Sequence, residues 1–310
     1  MNYQGRKVLV TGAGGFIGSH LAEQLVKEGA QVRAMVHYNG AGRWGWLDHS
    51  EHVGEMDVFA GDIGDAECVR AAVRDCEVVF HLAALIAIPY SYRAPRSYVR
   101  TNVEGTLNVL QAALDQGRPR VVHTSTSEVY GTAITVPISE DHPLQGQSPY
   151  SASKIGADKI AESFYKSFEL PVVVARPFNT FGPRQSARAV IPTIISQLLA
   201  GRTQVALGSL SPTRDLNYVS NTVEGFLAAG SHPAAVGGTF NFGSGLEISI
   251  GDLAHLIAEL VGKPIEVVST DERQRPPASE VERLLADFQL ARNTLGWTPK
   301  VSLEDGLRST

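Results

Sequence analysis

Short, mostly apolar runs alternate with amphipathic segments through the first half of the chain. Runs of β-forming residues predict strands at 8–10, 32–36, 58–60, 78–82, 121–124 and 172–175. Apolar residues at helical spacing between these runs predict helices at 17–27, 68–73, 98–114 and 150–168. Because strands that alternate with helices pair in parallel, this order predicts an α/β fold with a doubly wound, Rossmann-type parallel sheet.

After residue 176 the pattern loosens, and proline and glycine become frequent. We expect loops at 178–189 and 209–215, and further helices at 191–199, 219–229 and 250–260. This predicts two unequal lobes. The larger sheet domain comprises 1–176 with 215–243 returning to it, and a smaller, discontinuous lobe comprises 177–214 and 244–310.

Composition is ordinary for a globular protein, with 43% hydrophobic and 19% charged residues among 310. The formal net charge of -5 and the lack of a Lys/Arg tract argue against a nucleic-acid partner. No apolar stretch reaches bilayer length, and the N-terminus runs directly into the first strand, so we expect no membrane association and a cytoplasmic location. Cys68 and Cys76 have neither disulfide-framework nor metal-ligand spacing, and no metal is expected.

A glycine-rich segment lies between the first predicted strand and helix. Gly12, Gly15 and Gly18 allow a tight turn, close backbone approach to a pyrophosphate, and helix–strand packing. Phe16 and Ile17 open the helix, whose free N–H groups and positive dipole end favour phosphate. The strand–loop–helix setting therefore predicts that the sheet domain binds a dinucleotide.

Three further sites bear on this cofactor. The second strand ends at His37, where an NAD site normally has Asp or Glu, so both NAD and NADP stay open. His37 could equally be a surface loop residue. Asp62-Ile63 is expected to hold the adenine, although Asp is also a common turn residue. Leu82-Ala83-Ala84 would bring small side chains against the cofactor, with simple core packing as the alternative.

The candidate chemistry lies in two segments. Tyr150 and Lys154 are four residues apart and hence neighbours on one helix face. A nearby ammonium favours the phenolate, so the tyrosine could remove a proton from an alcohol. Upstream, Thr126, Ser127 and Glu128 follow a strand and supply hydroxyls and a carboxylate. The alternatives are an exposed helix face and a surface charge before a turn.

These motifs resemble the extended short-chain dehydrogenases/reductases of the NAD-dependent epimerase/dehydratase branch, over essentially the whole chain. The matching segments are T-G-A-G-G-F-I-G, G-D-I, H-L-A-A, N-V-E-G-T-L-N, S-T-S-E-V-Y-G, Y-S-A-S-K, R-P-F-N-T-F-G-P-R and R-D-L-N-Y-V. The resemblance implies that Thr126 binds the sugar 4-hydroxyl and that Tyr150 takes its proton. Lys154 would bind the nicotinamide ribose and tune the tyrosine, and Asn102 would lie at a cofactor that stays bound through turnover.

Glu128 distinguishes the subfamilies that the chain resembles. Sugar 4,6-dehydratases carry a carboxylate here to remove the carbon 5 proton, whereas 4-epimerases usually lack one. The dTDP-glucose type has Asp-Glu, but this chain has Ser127-Glu128, as in the GDP-mannose type. Either Glu128 serves first as base and then as acid, or another group protonates the departing hydroxyl, and Ser127 is the candidate for that role. UDP-glucuronate decarboxylases also carry Thr-Ser-Glu, so the triplet leaves epimerase and decarboxylase open, with an inactive dinucleotide-sensing scaffold as a distant alternative.

The segments 38–48, 83–92, 143–154 and 208–215 resemble the nucleotide-diphosphate N-acetylglucosamine 4,6-dehydratases of the legionaminic acid type. This implies GDP- or UDP-N-acetylglucosamine as substrate and a homodimer that pairs the helices at 98–114 and 150–168. The residues expected at the substrate are Ile88, Asn179, Arg184, Arg188, Arg214 and Arg275. A loop arginine is otherwise a solvated charge, and the apolar residues around Ile88 could be core.

Overall fold

The computed structural model describes residues 3–270 and 276–310. Its strands are β1 (Lys7–Thr11), β2 (Gln31–His37), β3 (Asp57–Gly61), β4 (Val78–His81), β5 (Arg120–Thr124), β6 (Val172–Pro177), β7 (Asn179–Phe181), β8 (Gln204–Leu207), β9 (Thr213–Tyr218), β10 (Thr239–Phe242), β11 (Glu247–Ser249), β12 (Glu266–Ser269) and β13 (Arg283–Leu284). Its α-helices are α1 (Phe16–Lys27), α2 (Ala66–Val73), α3 (Ile88–Ser91), α4 (Pro95–Tyr98), α5 (Gly105–Asp115), α6 (Pro149–Phe168), α7 (Val190–Leu199), α8 (Val219–Ser231), α9 (Ile250–Val261), α10 (Gln289–Leu295) and α11 (Leu303–Arg308).

The main sheet has seven parallel strands in the order β10-β6-β5-β4-β1-β2-β3. Helices α1 and α8 pack on one face, and α2, α5 and α6 pack on the other. Because helices cover both faces of the sheet, β4 and β6 are buried along their whole length, and they are apolar apart from His81 and Arg176. The predicted doubly wound α/β fold is confirmed.

The smaller lobe is built from two short sheets. Strands β11, β9 and β13 form one sheet, to which β7 is joined through β9, and β8 pairs with β12. Helices α7 and α9 pack against each other over an apolar core of their own. Between these lobe segments the chain returns through α8 and β10 to the main sheet, while β9 lies in the lobe. The division of the chain into two domains stays a prediction.

Local structure differs from the sequence pattern in four places. Strand β4 ends at His81, because the N–H of Leu82 turns to the backbone and hydroxyl of Thr11. The helix expected over 98–114 contains a π-helical segment, Val99–Glu104. The loops expected at 178–189 and 209–215 include β7 and the start of β9, whose short, mixed-polarity sequences have no clear period. Within 3–270 and 276–310, no helix is both long and apolar enough to cross a membrane.

Candidate active site

The glycine-rich loop connects β1 to α1 at the carboxyl edge of the sheet. Gly12 has a φ of 71°, and a Cβ there would lie 2.9 Å from the backbone nitrogen of Ala83. A Cβ on Gly18 would overlap the carbonyl oxygen of Gly12. Gly15 is the N-cap of α1, and no side chain in the described ranges caps this terminus. The backbone N–H groups of Phe16 and Ile17 therefore open a helix end that suits a pyrophosphate.

The predicted adenosine residues lie at the neighbouring strand ends. His37 pairs in register with Gly61, and the two are the last residues of β2 and β3. His37 and Asp62 are exposed, whereas Ile63 is buried in the core below α2. Asp62 accepts a hydrogen bond from the N–H of Gly64 at 2.8 Å, as in an Asx turn. The structure thus brings His37 and Asp62 to the same edge of the sheet.

A directional hydrogen-bond chain fixes the segment after β4. The hydroxyl of Thr106 donates to the carbonyl of Asn102 at 2.6 Å, so its oxygen accepts from Nε2–H of His81 at 3.0 Å. Nδ1 of His81 then accepts from the hydroxyl of Thr11 at 2.9 Å. The oxygen of Thr11 accepts from the N–H groups of Leu82 and Ala83, both at 3.1 Å. Burial lowers the pKa of His81 well below its ordinary value, which keeps this neutral tautomer.

Asn102, in the π-helical segment, joins three parts of the site. Its side chain accepts from the N–H of Leu85 at 2.8 Å and donates to the carbonyl of the same residue at 2.9 Å. It also donates to Ser153, whose hydroxyl donates to the carbonyl of Tyr150. The predicted residue Ala84 precedes this anchored loop. Asn102 therefore holds the loop after β4 against the helix that carries Tyr150.

The residues predicted to be catalytic converge. Thr126 caps a 3-10 turn, Ser127–Tyr130, and its hydroxyl accepts from the N–H of Glu128 at 3.2 Å. Burial raises the pKa of Tyr150, the nearby hydroxyl of Thr126 opposes the rise, and the negative charge of Glu128 adds to it. Thr126, Ser127, Glu128 and Tyr150 are all buried.

Lys154 lies one turn beyond Tyr150 on α6. Its ammonium donates to the carbonyl of Thr124 at the end of β5, at 2.6 Å. Burial lowers the pKa of Lys154 to about 8, although the charge of Asp158 opposes the fall. Lys154 is thus a buried cation, and its charge is maintained at neutral pH.

The substrate candidates are placed unequally. Ile88 packs with Tyr98 and Tyr150. The rings of Tyr98 and Tyr150 meet edge to face, with their centroids 6.2 Å apart. Asn179, at the start of β7, has a buried Oδ1 atom with no hydrogen-bond partner within the described ranges. An orphaned acceptor of this kind is suited to a hydroxyl or amide of a ligand. Ile88 and Asn179 thus present an apolar side chain and an open acceptor.

The four arginines expected at the substrate differ in their surroundings. Arg214, on β9, is buried and pairs with Glu280 at 3.2 Å. Arg184 instead reaches α1, where it pairs with Glu23 at 2.9 Å and donates to Ser19. It therefore fastens the lobe to the cofactor helix. Arg188 is exposed and its charge acts on Tyr98, and Arg275 lies outside the described residues.

Sequence analysis missed a buried polar cluster behind the site. Asp158 accepts hydrogen bonds from His123, Ser125 and Arg176. Two signals were available: Asp158 follows Lys154 by four residues on the same helix face, and Arg176 directly follows the apolar run 172–175.

The residues present fit a nicotinamide dinucleotide. Gly12 and Gly18 let the loop pack directly against the backbone of Ala83 and allow α1 to start close behind it, and the uncapped start of α1 supplies N–H donors. Lys154 and Tyr150 lie on α6, which packs on the other face of the sheet from α1. Bound there, the group would accept and return a hydride, while the surrounding protein holds the alcohol and moves its protons.

Comparison with known proteins agrees with this geometry. Residues 9–310 match the family described as GDP-mannose 4,6 dehydratase. A UDP-glucose 4-epimerase of Mycolicibacterium smegmatis is 37% identical over 98% of this chain and 97% of its own length. A UDP-N-acetyl-alpha-D-glucosaminuronate decarboxylase of Bacillus cytotoxicus is 34% identical over 98% and 96%. The crystal structure of a dTDP-glucose 4,6-dehydratase from Streptomyces venezuelae, with NAD bound, has a TM-score of 0.87 at 30% identity, covering 98% of this chain and 95% of that one.

A doubly wound sheet with a glycine loop, a Tyr-x-x-x-Lys helix and a smaller lobe is the architecture of an extended short-chain dehydrogenase/reductase. The chain belongs to the NAD-dependent epimerase/dehydratase family of nucleotide-sugar-modifying enzymes. The family resemblance predicted from the motifs is confirmed at this level.

Proposed function

We propose that the protein is a nucleotide-sugar 4,6-dehydratase that converts GDP- or UDP-N-acetylglucosamine to the 4-keto-6-deoxy sugar. The observation that carries the proposal is the position of Glu128. Glu128 is 8% exposed, lies in the turn that Thr126 caps, and its negative charge raises the pKa of Tyr150. A base beside the group that oxidises carbon 4 can remove the acidified proton at carbon 5.

The steps follow from these side chains. Thr126 holds the 4-hydroxyl and Tyr150 removes its proton as the hydride leaves carbon 4. Glu128 removes the carbon 5 proton and returns it to the hydroxyl departing from carbon 6, so that water is lost. Carbon 6 would receive the hydride back from a bound nicotinamide, and carbon 5 would take up a proton from solvent. Ser127 is the alternative group beside the departing hydroxyl.

Electrostatics supports the division of roles. The pKa of Tyr150 is raised by burial, so its phenol holds a proton until positive charge is supplied. An oxidised nicotinamide ring beside the phenol would supply such a charge when the cofactor is bound. Glu128 opposes ionisation of Tyr150, which favours one negative charge at a time in the pocket. The two bases are therefore suited to successive rather than simultaneous proton removal.

The lobe supports a nucleotide-diphosphate substrate. Arg214 offers a forked guanidinium that matches a phosphate, and Glu280 holds it in place. Asn179, at the start of β7, has a buried side-chain oxygen without a hydrogen-bond partner among the described residues. Arg275 remains a proposed second phosphate ligand by resemblance. Arg184 pairs with Glu23 of α1 at 2.9 Å, which supports a role in holding the lobe to α1 in addition to its expected role at the substrate.

We propose NAD as the tightly held cofactor, supported by the NAD-containing relative. His37 replaces the usual acid, and therefore NADP is a second acceptable cofactor. Calorimetric titration with both nucleotides decides between them. An NADP affinity at least equal to that for NAD would reverse the proposal.

The function is tested by incubating the enzyme separately with GDP- and UDP-N-acetylglucosamine, UDP-glucose and UDP-glucuronate. Mass spectrometry distinguishes loss of water, loss of carbon dioxide and epimerisation without mass change. In deuterium oxide, a dehydratase product carries solvent deuterium at carbon 5. We expect Glu128→Gln to lower water loss by about a thousandfold, within the usual range for a general base. The exposed Glu51→Gln is the matched control. Full water loss in Glu128→Gln would refute the assignment.

A 4-epimerase is the second candidate, favoured by the 37% identity to a UDP-glucose 4-epimerase. It predicts that UDP-glucose changes configuration without change of mass. It also predicts that Glu128→Gln leaves most activity intact, because epimerisation requires no base at carbon 5.

We also propose a homodimer. Leu107 on α5 and Tyr165 and Phe168 on α6 are large apolar side chains with exposed fractions of 40%, 38% and 46%. The two helices pack side by side, so a partner copy could cover both. Light scattering after size exclusion would give twice the chain mass, and a stable monomer would contradict the proposal.

A further inference from the structure

Behind the catalytic helix lies a buried polar group that the proposed steps do not use. We name it the Asp158 cluster: Asp158, His123, Ser125 and Arg176. Each member is at most 4% exposed. Oδ1 of Asp158 accepts from Nε2–H of His123 at 3.1 Å. Oδ2 accepts from the Ser125 hydroxyl at 2.6 Å and from Arg176 Nη2 at 3.0 Å. Three donors from β5, its following residue and β6 thus hold one carboxylate.

The charge states within the Asp158 cluster follow from these contacts. Burial opposes ionisation of Asp158, but the His123 hydrogen bond and the Arg176 charge lower the pKa of Asp158 to about 2. Burial lowers the pKa of His123, so the ring is neutral and donates from Nε2. The cluster therefore contains one carboxylate and one guanidinium, and its net charge is zero.

Asp158 also faces Lys154. The two residues are one turn apart on the same face of α6. Lys154 donates to the carbonyl of Thr124, the residue before the Ser125 that holds Asp158. Asp158 and Lys154 are thus attached to the same short stretch of β5.

The groups around Lys154 come from several elements. Lys154 interacts electrostatically with His81 on β4, His123 on β5 and Asp158 on α6, and Tyr150 lies one turn before it on the same helix. Burial lowers the pKa of both histidines and keeps them neutral, and the positive charge of Lys154 lowers the pKa further. Among the described residues, Asp158 supplies the charge that opposes the fall in the Lys154 pKa.

We propose that Asp158 is a positioning residue that acts through Lys154, keeping the lysine ammonium charged and in place beside the cofactor. Arg176 fixes the carboxylate for this task. The proposal rests on the proposed function only in that the reaction begins by oxidising an alcohol. Water loss, epimerisation and decarboxylation share that step, so the role of Asp158 is the same in each.

The test uses Asp158→Asn, which removes the charge and keeps the shape. We expect the alkaline limb of the kcat/KM profile to move down by about one pH unit, because Lys154 loses its proton more readily. NAD affinity, measured by calorimetry, should fall about tenfold at about pH 8 and change little at about pH 6. Asp158→Glu should restore both profiles in part. An unmoved alkaline limb with an even loss at every pH would overturn the proposal.

A double-mutant cycle separates this role from a structural one. In a Lys154→Met background, adding Asp158→Asn should leave NAD affinity unchanged, because the group through which Asp158 acts is gone. An equal further loss in that background would overturn the proposal. Glu140→Gln is the control. Glu140 is a half-buried carboxylate outside the Asp158 cluster, and it accepts a hydrogen bond from the N–H of Asn241 at 2.8 Å. It should leave the pH profile of NAD binding unchanged.

Two further measurements cover a variant that does not fold and an enzyme that dehydrates none of the sugars. If Asp158→Asn does not fold because the Arg176 charge is left unpaired, Asp158→Asn combined with Arg176→Gln removes both charges and carries the same expectation. If the wild-type enzyme binds NAD but dehydrates none of the sugars, the proposed function fails. The calorimetric cycle still tests Asp158, because it requires no turnover.

Discussion

Lys154 is a buried cation that the fold maintains at a cost, and Lys154→Met removes it. The difference between its ordinary pKa of 10.5 and about 8 corresponds to about 3 kcal/mol, at 1.36 kcal/mol for each pKa unit. Loss of the hydrogen bond to Thr124 offsets about 1 kcal/mol. The free energy of unfolding of the variant should therefore be about 2 kcal/mol higher than that of the wild type at about pH 7, although the variant loses activity. That corresponds to a Tm higher by about 4 °C.

The pH dependence of this difference provides a sharper test. Below about pH 8, Lys154 is charged in both the folded and the unfolded chain, and the full cost applies. Between about pH 8 and 10.5 the folded protein has released a proton that the unfolded chain keeps. Wild-type stability then rises relative to the variant, because the unfolded state binds more protons. The Tm difference should therefore shrink between about pH 7 and about pH 10.

Thermal unfolding of nucleotide-free protein, with the cofactor content checked by ultraviolet absorbance, measures both effects. Lys159→Met is the matched control, because Lys159 lies on the same helix, is 57% exposed and pairs with Glu162. It should change Tm by no more than about 1 °C, as expected for a surface position. A Lys154→Met variant less stable than wild type at neutral pH, or a difference that does not change with pH, would refute the reasoning.

The remaining predictions concern catalysis and binding. Tyr150→Phe should lower kcat by about a thousandfold while calorimetry finds NAD affinity within about threefold of wild type; full activity would remove the residue from its role. Gly18→Ala should abolish NAD binding, because a Cβ overlaps the carbonyl of Gly12, whereas Gly54→Ala meets nothing within 4 Å and should bind normally. Arg214→Gln should raise KM for the nucleotide sugar by about 30-fold with little change in kcat, as for a lost charge-assisted contact, and the exposed Arg202→Gln should not.

How far the sequence determined the site can be argued from particular residues. The period of apolar residues predicted the main sheet because β4 and β6 are buried on both faces. The glycine loop and the Tyr150–Lys154 pair were predictable because both follow from local spacing. Strands β7, β9 and β13 were not, since each is short and is defined only by partners distant in sequence.

The same reasoning explains why Arg184 was difficult to assign and Asp158 was missed. A loop arginine carries no information about which distant carboxylate it will meet, and Glu23 is 161 residues away. Asp158 is on the same helix face as Lys154, which was a local signal. Its donors come from β5, the residue that follows it, and β6, and only the folded sheet brings them together.

These placements bear on how one fold supports several reactions. In the proposed reaction, oxidation at carbon 4 would use Thr126, Tyr150 and Lys154, which lie at the ends of β5 and α6 in front of the Asp158 cluster. The choice between elimination and epimerisation would depend instead on Glu128, which lies in one short turn capped by Thr126. Because the hydroxyl of Thr126 accepts from the N–H of Glu128 and also lies near Tyr150, the turn would hold the second proposed base beside the first. We therefore expect a change of reaction to require a new side chain at the turn and no change in the sheet.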